Sequence, residues 1–517
     1  MTFLRLQRLN SIHITGLINI VISLLVSGLS FYSLTLIAQK FGGSAGSDAY
    51  FFLLSISTLF IGLIGALFTT ILLPIFLELK NSSDQKAASW FFSSILSWCL
   101  IIIIPLGLLS YFFYDFFYGI FSKFSYYQIL ENRFILIYFA PIFVVGVISE
   151  LFRAIILALG DYFIAALGAL FQPLFIVIAL FEFSDQLHEE SIAISLLIAK
   201  IAALILLLLV AVFNNKLEIS INFKKNSSTV KFVKVAFPYW SGNLITSFAT
   251  FFFDYLSSGL GPGILTSVSY AQRIFSLPTA LLVNPILEIA RTKFAESQVA
   301  QDKKTFLMHY NKLIEFVIYL TIPIGFFYFF FAEEIVATLF QRGAFNSDSV
   351  AISAACLKIF AISIPYTSLF MVNGRACESF QRLKWPSIFG TLGNLLMMLL
   401  AYIFIQEFGY IGIPYARLTI DLIYFFPFGF IALILFYGKV ELLFFAKRVA
   451  IGCISSLLTL LVYYFFGKNY LLGYEHSSIL LMATLAISFF ATYFFLAIAI
   501  NFSSISALKL INNGIFK

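Results

Sequence analysis

The chain has 517 residues, of which 61% are hydrophobic and 11% are charged, and its mean hydropathy is +0.98. Charged residues make up about 25% of a soluble globular domain, so this composition excludes that class and indicates a polytopic membrane protein. The formal net charge of +7 is explained by basic loops on one side of a membrane, so it does not indicate a nucleic-acid partner.

Fourteen apolar segments follow one another along the chain. A bilayer-spanning helix needs about 20 predominantly apolar residues, so the pattern predicts an all-α polytopic membrane protein with about 14 transmembrane helices. The segments, numbered helices 1 to 14, are expected at roughly 15–38, 50–77, 90–113, 134–158, 163–181, 191–213, 232–258, 264–290, 313–331, 350–372, 385–405, 409–437, 446–466 and 477–500.

The basic residues are divided unevenly between the loops on the two sides. With the N-terminus in the cytoplasm, most of the 32 Lys and Arg residues fall in cytoplasmic loops, where such residues are enriched in membrane proteins. The residues assigned to the opposite side are Lys40, Lys123, Arg133, Lys200, Arg342 and Lys468. The sequence therefore predicts that both termini are cytoplasmic.

An internal repeat with few identities indicates two lobes. The stretch RAIILALGDYFIAALGAL, which begins at Arg153, aligns with RACESFQRLKWPSIFGTL, which begins at Arg375. We expect an N-terminal lobe at 1–215 with helices 1–6 and a C-terminal lobe at 216–440 with helices 7–12, in parallel repeat. Helices 13 and 14 and the C-terminal tail then occupy 441–517. Parallel repeats of this kind place the substrate site at the lobe interface near the bilayer midplane.

The stretch between helices 7 and 8 contains a Gly/Pro break with an ionisable residue on either side. Asp254 precedes the break and Arg273 follows it. An ionised group inside a spanning helix costs about 2.5–3.5 kcal/mol, so such groups usually face a cavity or a partner. Two interpretations stay open: both residues line a substrate cavity, or they only pair with each other and hold two helices together.

Further charges are predicted within the spans, and they are candidate substrate-binding residues. Arg417 and Asp421 in helix 12 are four residues apart, so they share one helix face and can neutralise each other without a ligand. Arg273 and Lys358 lack such a local neutraliser, so they are better candidates for an anionic ligand. The first lobe shows no charge deep in its spans. Asp48 stands at the head of helix 2, where an N-terminal cap is the alternative to a cavity role.

The sequence contains no pattern that indicates catalysis, a metal site or a cofactor. The four cysteines and four histidines are scattered, no G-x-x-x-x-G-K-[ST] loop is present, and no serine lies in a G-x-S-x-G elbow. We therefore expect a protein that is not an enzyme and that uses neither a metal nor a cofactor.

Four passages distributed over essentially the whole chain carry a family resemblance. They are FGGSAGSDAYFF, ALGDYFIAALGALFQP, DYLSSGLGPGILTSVSYAQRIFSLP and LFQRGAFNSDSV. They resemble the MviN/MurJ family of lipid II flippases, within the superfamily of multidrug and polysaccharide-lipid exporters. The resemblance implies two lobes around a hydrophilic cavity, alternating access, and a multi-pass protein of the bacterial inner membrane.

The same resemblance implies a cargo and its partners. The cargo would be an undecaprenyl-pyrophosphate-linked saccharide, lipid II or a related glycan, used for cell-wall or surface-polysaccharide synthesis. The polyprenyl tail would lie in a lipid-facing groove built partly by the last two helices. Cavity roles carry over to Arg273, in the Tyr-Ala-x-Arg pattern, and to Asp48 and Asp254. Besides the cargo and membrane lipid, glycan-synthesis enzymes are candidate partners.

The chain departs from the family in its first lobe. Gln39 stands where the family carries an arginine, and the helix 2 region STLFIGLIG contains none. A pyrophosphate favours several cationic donors. This departure therefore counts against lipid II as the particular cargo, but it leaves a flippase of some lipid-linked glycan open. The alternatives are an O-antigen-type translocase of another glycan and a cation-coupled drug exporter in which Asp254 binds the cation. A scaffold for glycan synthesis also stays open. A glycosyltransferase would need a large extracytoplasmic loop, and the sequence predicts none.

Overall fold

The computed structural model describes residues 12–81, 85–214, 217–224, 226–379, 384–427, 442–466 and 479–499, together with residues 429 and 431. Nearly all of these residues are helical and none of them lies in a strand, which confirms the all-α class.

Eleven helices within these ranges are long and apolar enough to cross a membrane, and Met482–Ala497 is a shorter apolar helix. The count of about 14 spans stays a prediction. The eleven candidates are Val21–Phe41, Ala45–Asn81, Lys86–Phe112, Arg133–Ala158, Tyr162–Glu182, Glu190–Asn214, Ile264–Val299, Lys303–Phe330, Ser347–Ser379, Ile388–Phe425 and Phe445–Val462.

The chain folds into two compact units, and the first comprises residues 1–266 and 342–346. Its helices are α1 (Ile12–Phe41), α2 (Ala45–Leu67), α3 (Leu73–Asn81), α4 (Gln85–Phe112), α5 (Tyr114–Phe121), α6 (Tyr126–Glu131), α7 (Arg133–Leu136), α8 (Phe139–Ala158), α9 (Tyr162–Glu182), α10 (Ser184–Leu187), α11 (Glu190–Leu209) and α12 (Ser227–Ser257).

The second unit comprises residues 267–341 and 347–517. Its helices are α13 (Ile264–Pro278), whose first residues belong to the first unit, α14 (Asn284–Val299), α15 (Lys303–Phe330), α16 (Ala332–Phe340), α17 (Ser347–Ser379), α18 (Lys384–Phe408), α19 (Gly412–Ile420), α20 (Leu442–Phe466) and α21 (Ile479–Ala499).

This division by contacts differs from the division by sequence repeat. Because α12 packs on α2, it groups with the first unit, whereas the repeat assigns the same helix to the lobe that begins at residue 216. The lobe boundaries at 215 and 440 stay a prediction, since they depend on the repeat and not on contacts.

Packing of aromatic residues forms much of the core of the first unit. Phe52 on α2 is fully buried and contacts Tyr118, Phe124 and Phe251, with ring centroids 5.2–6.1 Å apart. Burial of large rings with tilted or edge-to-face contacts is a strong stabilising contribution. This packing fixes α2 beside α12, which positions the candidate residues on both helices.

The core of the second unit is built on α14, α15 and α17, where a continuous cluster of buried apolar side chains joins the three helices. Several helices also contain a π-type turn, and one of them, Thr279–Val283, directly follows Pro278 at the end of α13. Proline lacks the N–H that an α-helix would use, so a change of helical hydrogen bonding is expected at this point.

Candidate functional site

Asp48 is a buried hydrogen-bond acceptor that holds the Gly/Pro break. Its carboxylate accepts hydrogen bonds from the backbone N–H of Gly263 at 2.6 Å, the backbone N–H of Thr266 at 2.8 Å and the Thr266 hydroxyl at 2.6 Å. It is 2% exposed. The N-cap of α2 is Ser44, so the cap interpretation of Asp48 for helix 2 is wrong: Asp48 satisfies the first N–H groups of α13 instead.

Close backbone approaches bring three of the family-like passages together within the first unit. A Cβ atom on Gly263 would lie 2.4 Å from the carbonyl oxygen of Gly43, and one on Gly42 would lie 2.2 Å from that of Ala344. The backbone N–H of Ala344 donates to the carbonyl oxygen of Gln39 at 2.9 Å. Gly42 and Gly263 also have positive φ angles, so both the space and the backbone conformation require glycine.

Asp254 is bound to a side chain of the same unit. The Ser55 hydroxyl on α2 donates a hydrogen bond of 2.5 Å to the Asp254 carboxylate on α12, which is half-buried. This contact satisfies part of the hydrogen-bonding capacity of the carboxylate and is consistent with the close packing of the two helices. The contact with cargo, or with a cation, that the sequence indicates for Asp254 stays a prediction.

Arg273 and Lys358 lie in the second unit on helices that also carry many buried residues. Arg273 is half-buried in the second half of α13, next to Tyr270 and Ile274, which are buried. Lys358 is half-buried in the first half of α17, between Leu357 and Ile359, which are both buried. The structure thus places both cations at partly accessible positions inside apolar helices, where a charge is costly without a compensating group.

Arg417 and Asp421 form an ion pair, as their spacing indicates. Arg417 Nε donates to Asp421 Oδ2 at 3.0 Å, and the Thr367 hydroxyl donates to the same carboxylate oxygen at 3.0 Å. Asp421 is 1% exposed, and it begins the π-type turn Asp421–Phe425. The pair neutralises itself locally, so its arrangement needs no ligand. A direct role in substrate binding stays a prediction for both residues.

An apolar cavity of ≈ 540 Å³ lies in the second unit, with walls from α15, α17, α20 and the segment that follows α19. Aromatic and aliphatic side chains line it almost completely, and α20 contributes Phe445, Val449 and Cys453. Such a lining offers few hydrogen bonds and suits a hydrocarbon chain. The resemblance implies a groove built partly by the last two helices, and α20 corresponds to the first of them.

A polar cavity of ≈ 400 Å³ lies in the first unit, lined by residues of α2, α8, α9 and α11 together with Thr69. Its charged residues are Glu150, Arg153 and Lys200. The sequence prediction that the first lobe has no charge deep in its spans is therefore wrong. The sequence prediction places Lys200 in a loop on the extracytoplasmic side, but the residue lies within the apolar helix α11. The position of Lys200 inside the apolar run at 191–213 is the signal that identifies it.

The sequence also did not predict a second buried ion pair. Arg448 Nη1 on α20 lies 3.2 Å from Glu315 Oε1 on α15, and both side chains are about nine-tenths buried. The two residues are far apart in sequence and close to predicted segment ends, so no spacing rule connects them. The pair fastens α20 to the core of the second unit.

Known protein sequences similar to this chain share one family description. A family model described as "Lipid II flippase MurJ" matches residues 37–508. A protein named "Probable lipid II flippase MurJ" from Buchnera aphidicola subsp. Schizaphis graminum (strain Sg) is 25% identical over 409 residues, which cover 77% of this chain and 79% of that protein. A protein of the same name from Aquifex aeolicus (strain VF5) is 25% identical over 396 residues, 74% of this chain and 76% of its own length.

Solved structures are similar over most of the chain. "Lipid II flippase MurJ, inward closed conformation" has a TM-score of 0.79 at 20% identity, with 96% of this chain and 100% of that one covered. "Inward-facing conformation of a multidrug resistance MATE family transporter of the MOP superfamily" has a TM-score of 0.68 at 15% identity, with 80% and 96% covered. At these identities the likeness shows the fold alone.

Proposed function

The chain belongs to the lipid II flippase MurJ family, and from this premise we propose that it moves an undecaprenyl-pyrophosphate-linked saccharide across the bacterial cytoplasmic membrane by alternating access. The match to the family model over residues 37–508 carries the proposal. Lipid II is the first candidate cargo, which places the protein in peptidoglycan and cell-wall synthesis. A flippase leaves the covalent structure of its cargo unchanged, so the protein is a transporter and not an enzyme.

The apolar cavity of the second unit supports a cargo with a hydrocarbon tail. Its lining includes Phe326, Phe329 and Phe330 on α15 and Phe445 on α20. A hydrocarbon tail that moved from the bilayer into this cavity would therefore stay in apolar surroundings. A saccharide head group would find few partners there. We assign the cavity to part of the polyprenyl tail, and the cargo head group to the charged residues elsewhere.

Arg273 is the residue to which we assign the pyrophosphate. Its guanidinium presents a planar fork that can bind phosphate oxygens with two parallel hydrogen bonds, which an ammonium group cannot do. Its place in the Tyr-Ala-x-Arg pattern and its partly accessible position on α13 support this role. Lys358 is the second candidate, because it also lies within a spanning helix and is half-buried.

The orientation of the chain follows from its basic residues, and we propose that both termini are cytoplasmic. Placing Lys200 inside α11 removes it from the extracytoplasmic loops, so the imbalance of basic residues between the two sides becomes larger. Partners other than the cargo and membrane lipid, including glycan-synthesis enzymes, belong to the proposal only through the family.

The experiment that tests the proposal is depletion followed by identification of the precursor that accumulates. We expect a lipid-linked saccharide to build up on the cytoplasmic face when the protein is depleted, and mass spectrometry of the extracted lipids to identify its sugar. Arg273→Ala should fail to restore export at normal protein levels, whereas Arg273→Lys should restore it partly because charge is kept and fork geometry is not. Normal lipid-linked intermediates after depletion would contradict the proposal.

A related glycan is the second candidate cargo, and a particular observation favours it. Gln39 and the arginine-free region STLFIGLIG leave the first unit without the cations that the family usually carries there. The same depletion experiment separates the two candidates. Accumulation of lipid II would identify the first, and accumulation of another undecaprenyl-linked saccharide with normal peptidoglycan would identify the second.

A further inference from the structure

The polar cavity of the first unit has an excess of positive charge. Arg153 donates to Glu150 Oε2 from Nε at 2.8 Å, and its Nη2 lies 2.6 Å from the same oxygen, so these two residues neutralise each other. Within the described parts of the chain, Lys200 has no ion-pair partner within 4.0 Å. Two basic residues and one carboxylate therefore line one cavity inside the spanning helices, and their formal charges sum to +1.

The corresponding cluster in the second unit is neutral. Arg375, which aligns with Arg153 in the sequence repeat, lies 2.7 Å from Glu288 and 2.9 Å from Glu378. Arg291 lies 3.8 Å from each of the same two glutamates. Two arginines and two glutamates balance there, so an excess of cations is not a general feature of these helices. The formal excess of positive charge near Arg153 suits an anionic ligand.

Neutral hydrogen-bond donors face the same cavity. Ser57 is 3% exposed, it lines the cavity, and its hydroxyl oxygen has no hydrogen-bond partner among the described residues. Buried hydroxyl groups are nearly always hydrogen-bonded, so a hydroxyl beside a cavity that has no partner in the described protein is a candidate to bond a ligand there. Gln172 contributes an amide group to the wall. In the same described set, Arg153 Nη1 makes no hydrogen bond and is a further donor.

Two glycines of α2 keep the cavity open. An ideal Cβ atom on Gly62 would meet no atom within 4 Å, which means that the space beside this glycine is empty. A Cβ atom on Gly65 would lie 3.1 Å from the Glu150 side chain, so glycine here allows the carboxylate to approach α2 and pair with Arg153. The volume of ≈ 400 Å³ is ample for a tetrahedral oxyanion with its hydration water.

We propose that this cavity binds an oxyanion of the phosphate class, held by Lys200, by Arg153 Nη1 and by the Ser57 hydroxyl. The three side chains line one cavity, and an ammonium group, a guanidinium nitrogen and a hydroxyl together suit phosphate oxygens. The phosphate can belong to an isoprenoid lipid or to free inorganic phosphate. This site is additional to the proposed transport function. Phosphate binding to it can be measured directly, whichever saccharide the protein moves.

The test is ligand-dependent thermal stabilisation of the purified full-length protein in detergent micelles. Inorganic phosphate and undecaprenyl phosphate are titrated separately, at constant ionic strength set with sodium chloride. A ligand that binds only the folded state raises the unfolding midpoint, and the stabilisation grows as RT ln(1 + [L]/Kd). We expect at least one of the two probes to raise the midpoint, and we expect Lys200→Met to weaken its apparent affinity at least tenfold.

Two further variants keep the test decisive. Gly62→Leu retains every charge and fills the empty space, so it should weaken binding like Lys200→Met, and it carries the test if Lys200→Met fails to fold. Lys231→Met is the matched control, because Lys231 pairs with Glu78 at an exposed position. This variant should bind the probe as tightly as the unmodified chain does.

The outcomes separate the source of the phosphate from failure of the proposal. Stabilisation by undecaprenyl phosphate alone assigns the site to a lipid phosphate, and stabilisation by inorganic phosphate assigns it to the free anion. The proposal is overturned if chloride stabilises the protein as well as both probes do, or if neither probe stabilises it. Equal affinity in the unmodified chain, Lys200→Met and Gly62→Leu would also overturn it.

Discussion

Replacement of Asp48 by alanine should destabilise the folded protein strongly, even though the residue lies in a candidate substrate-binding set. The change removes three hydrogen bonds that the buried carboxylate accepts, two of them from the backbone N–H groups of the buried residues Gly263 and Thr266. Each buried unsatisfied group costs about 1–3 kcal/mol. The Thr266 hydroxyl can rotate towards another acceptor, and burial of the carboxylate itself is no longer a cost. We therefore expect a loss of about 3 kcal/mol, which is roughly a hundredfold change in the unfolding equilibrium.

The measurement is equilibrium unfolding by sodium dodecyl sulfate in mixed micelles, followed by tryptophan fluorescence. Asp48→Asn should lose about half as much, because the amide keeps one acceptor oxygen and the shape of the side chain. Asp348→Ala is the matched control, since Asp348 is exposed, and it should change stability by less than about 1 kcal/mol. If Asp48→Ala is no less stable than Asp348→Ala, the carboxylate does not hold the Gly/Pro break and the reasoning fails.

Three further predictions concern backbone space, a buried ion pair and topology. Gly343→Val should abolish folding, because the φ of Gly343 is 57° and a Cβ atom there would lie 2.2 Å from a carbonyl oxygen at the end of α1. The readout is loss of monodisperse protein after extraction, and a normal elution profile would refute the prediction. Arg448→Met should lower the free energy of unfolding by about 3–5 kcal/mol in the same assay, because Glu315 is then buried without its ion-pair partner. The double variant with Glu315→Leu should recover most of this loss, and no recovery would contradict the pairing. A cysteine at Ser347 should react with an impermeant thiol reagent on intact spheroplasts and one at Ser227 should not, and reversed labelling would contradict both cytoplasmic termini.

Local sequence spacing predicted part of the site correctly. Arg417 and Asp421 are one helical turn apart, and their ion pair follows from that spacing because residues at i and i+4 share a helix face. The membrane class and the all-α fold follow in the same way from runs of apolar residues, which need no knowledge of tertiary contacts.

Contacts between distant residues explain what the sequence did not predict. Asp48 and its partner Gly263 are 215 residues apart, and nothing local to Asp48 distinguishes a cap of its own helix from a cap of another. Lys200 was missed for a different reason: it was counted as a loop residue although it interrupts an apolar run. Its place beside Glu150 and Arg153 depends on how α8 and α11 pack, which periodicity alone does not determine.

Reconstitution of the purified chain into vesicles tests the central claim most directly. Lipid II, and in parallel another undecaprenyl-pyrophosphate-linked saccharide, is placed in the membrane, and the fraction exposed on the outer leaflet is followed with an added enzyme that cleaves the pyrophosphate link. We expect the unmodified chain to make the inner-leaflet pool of at least one of these lipids accessible, whereas Arg273→Ala should leave it protected at equal protein content. Protection of both pools in vesicles that contain the folded, unmodified chain would contradict the claim that this protein moves a lipid-linked saccharide.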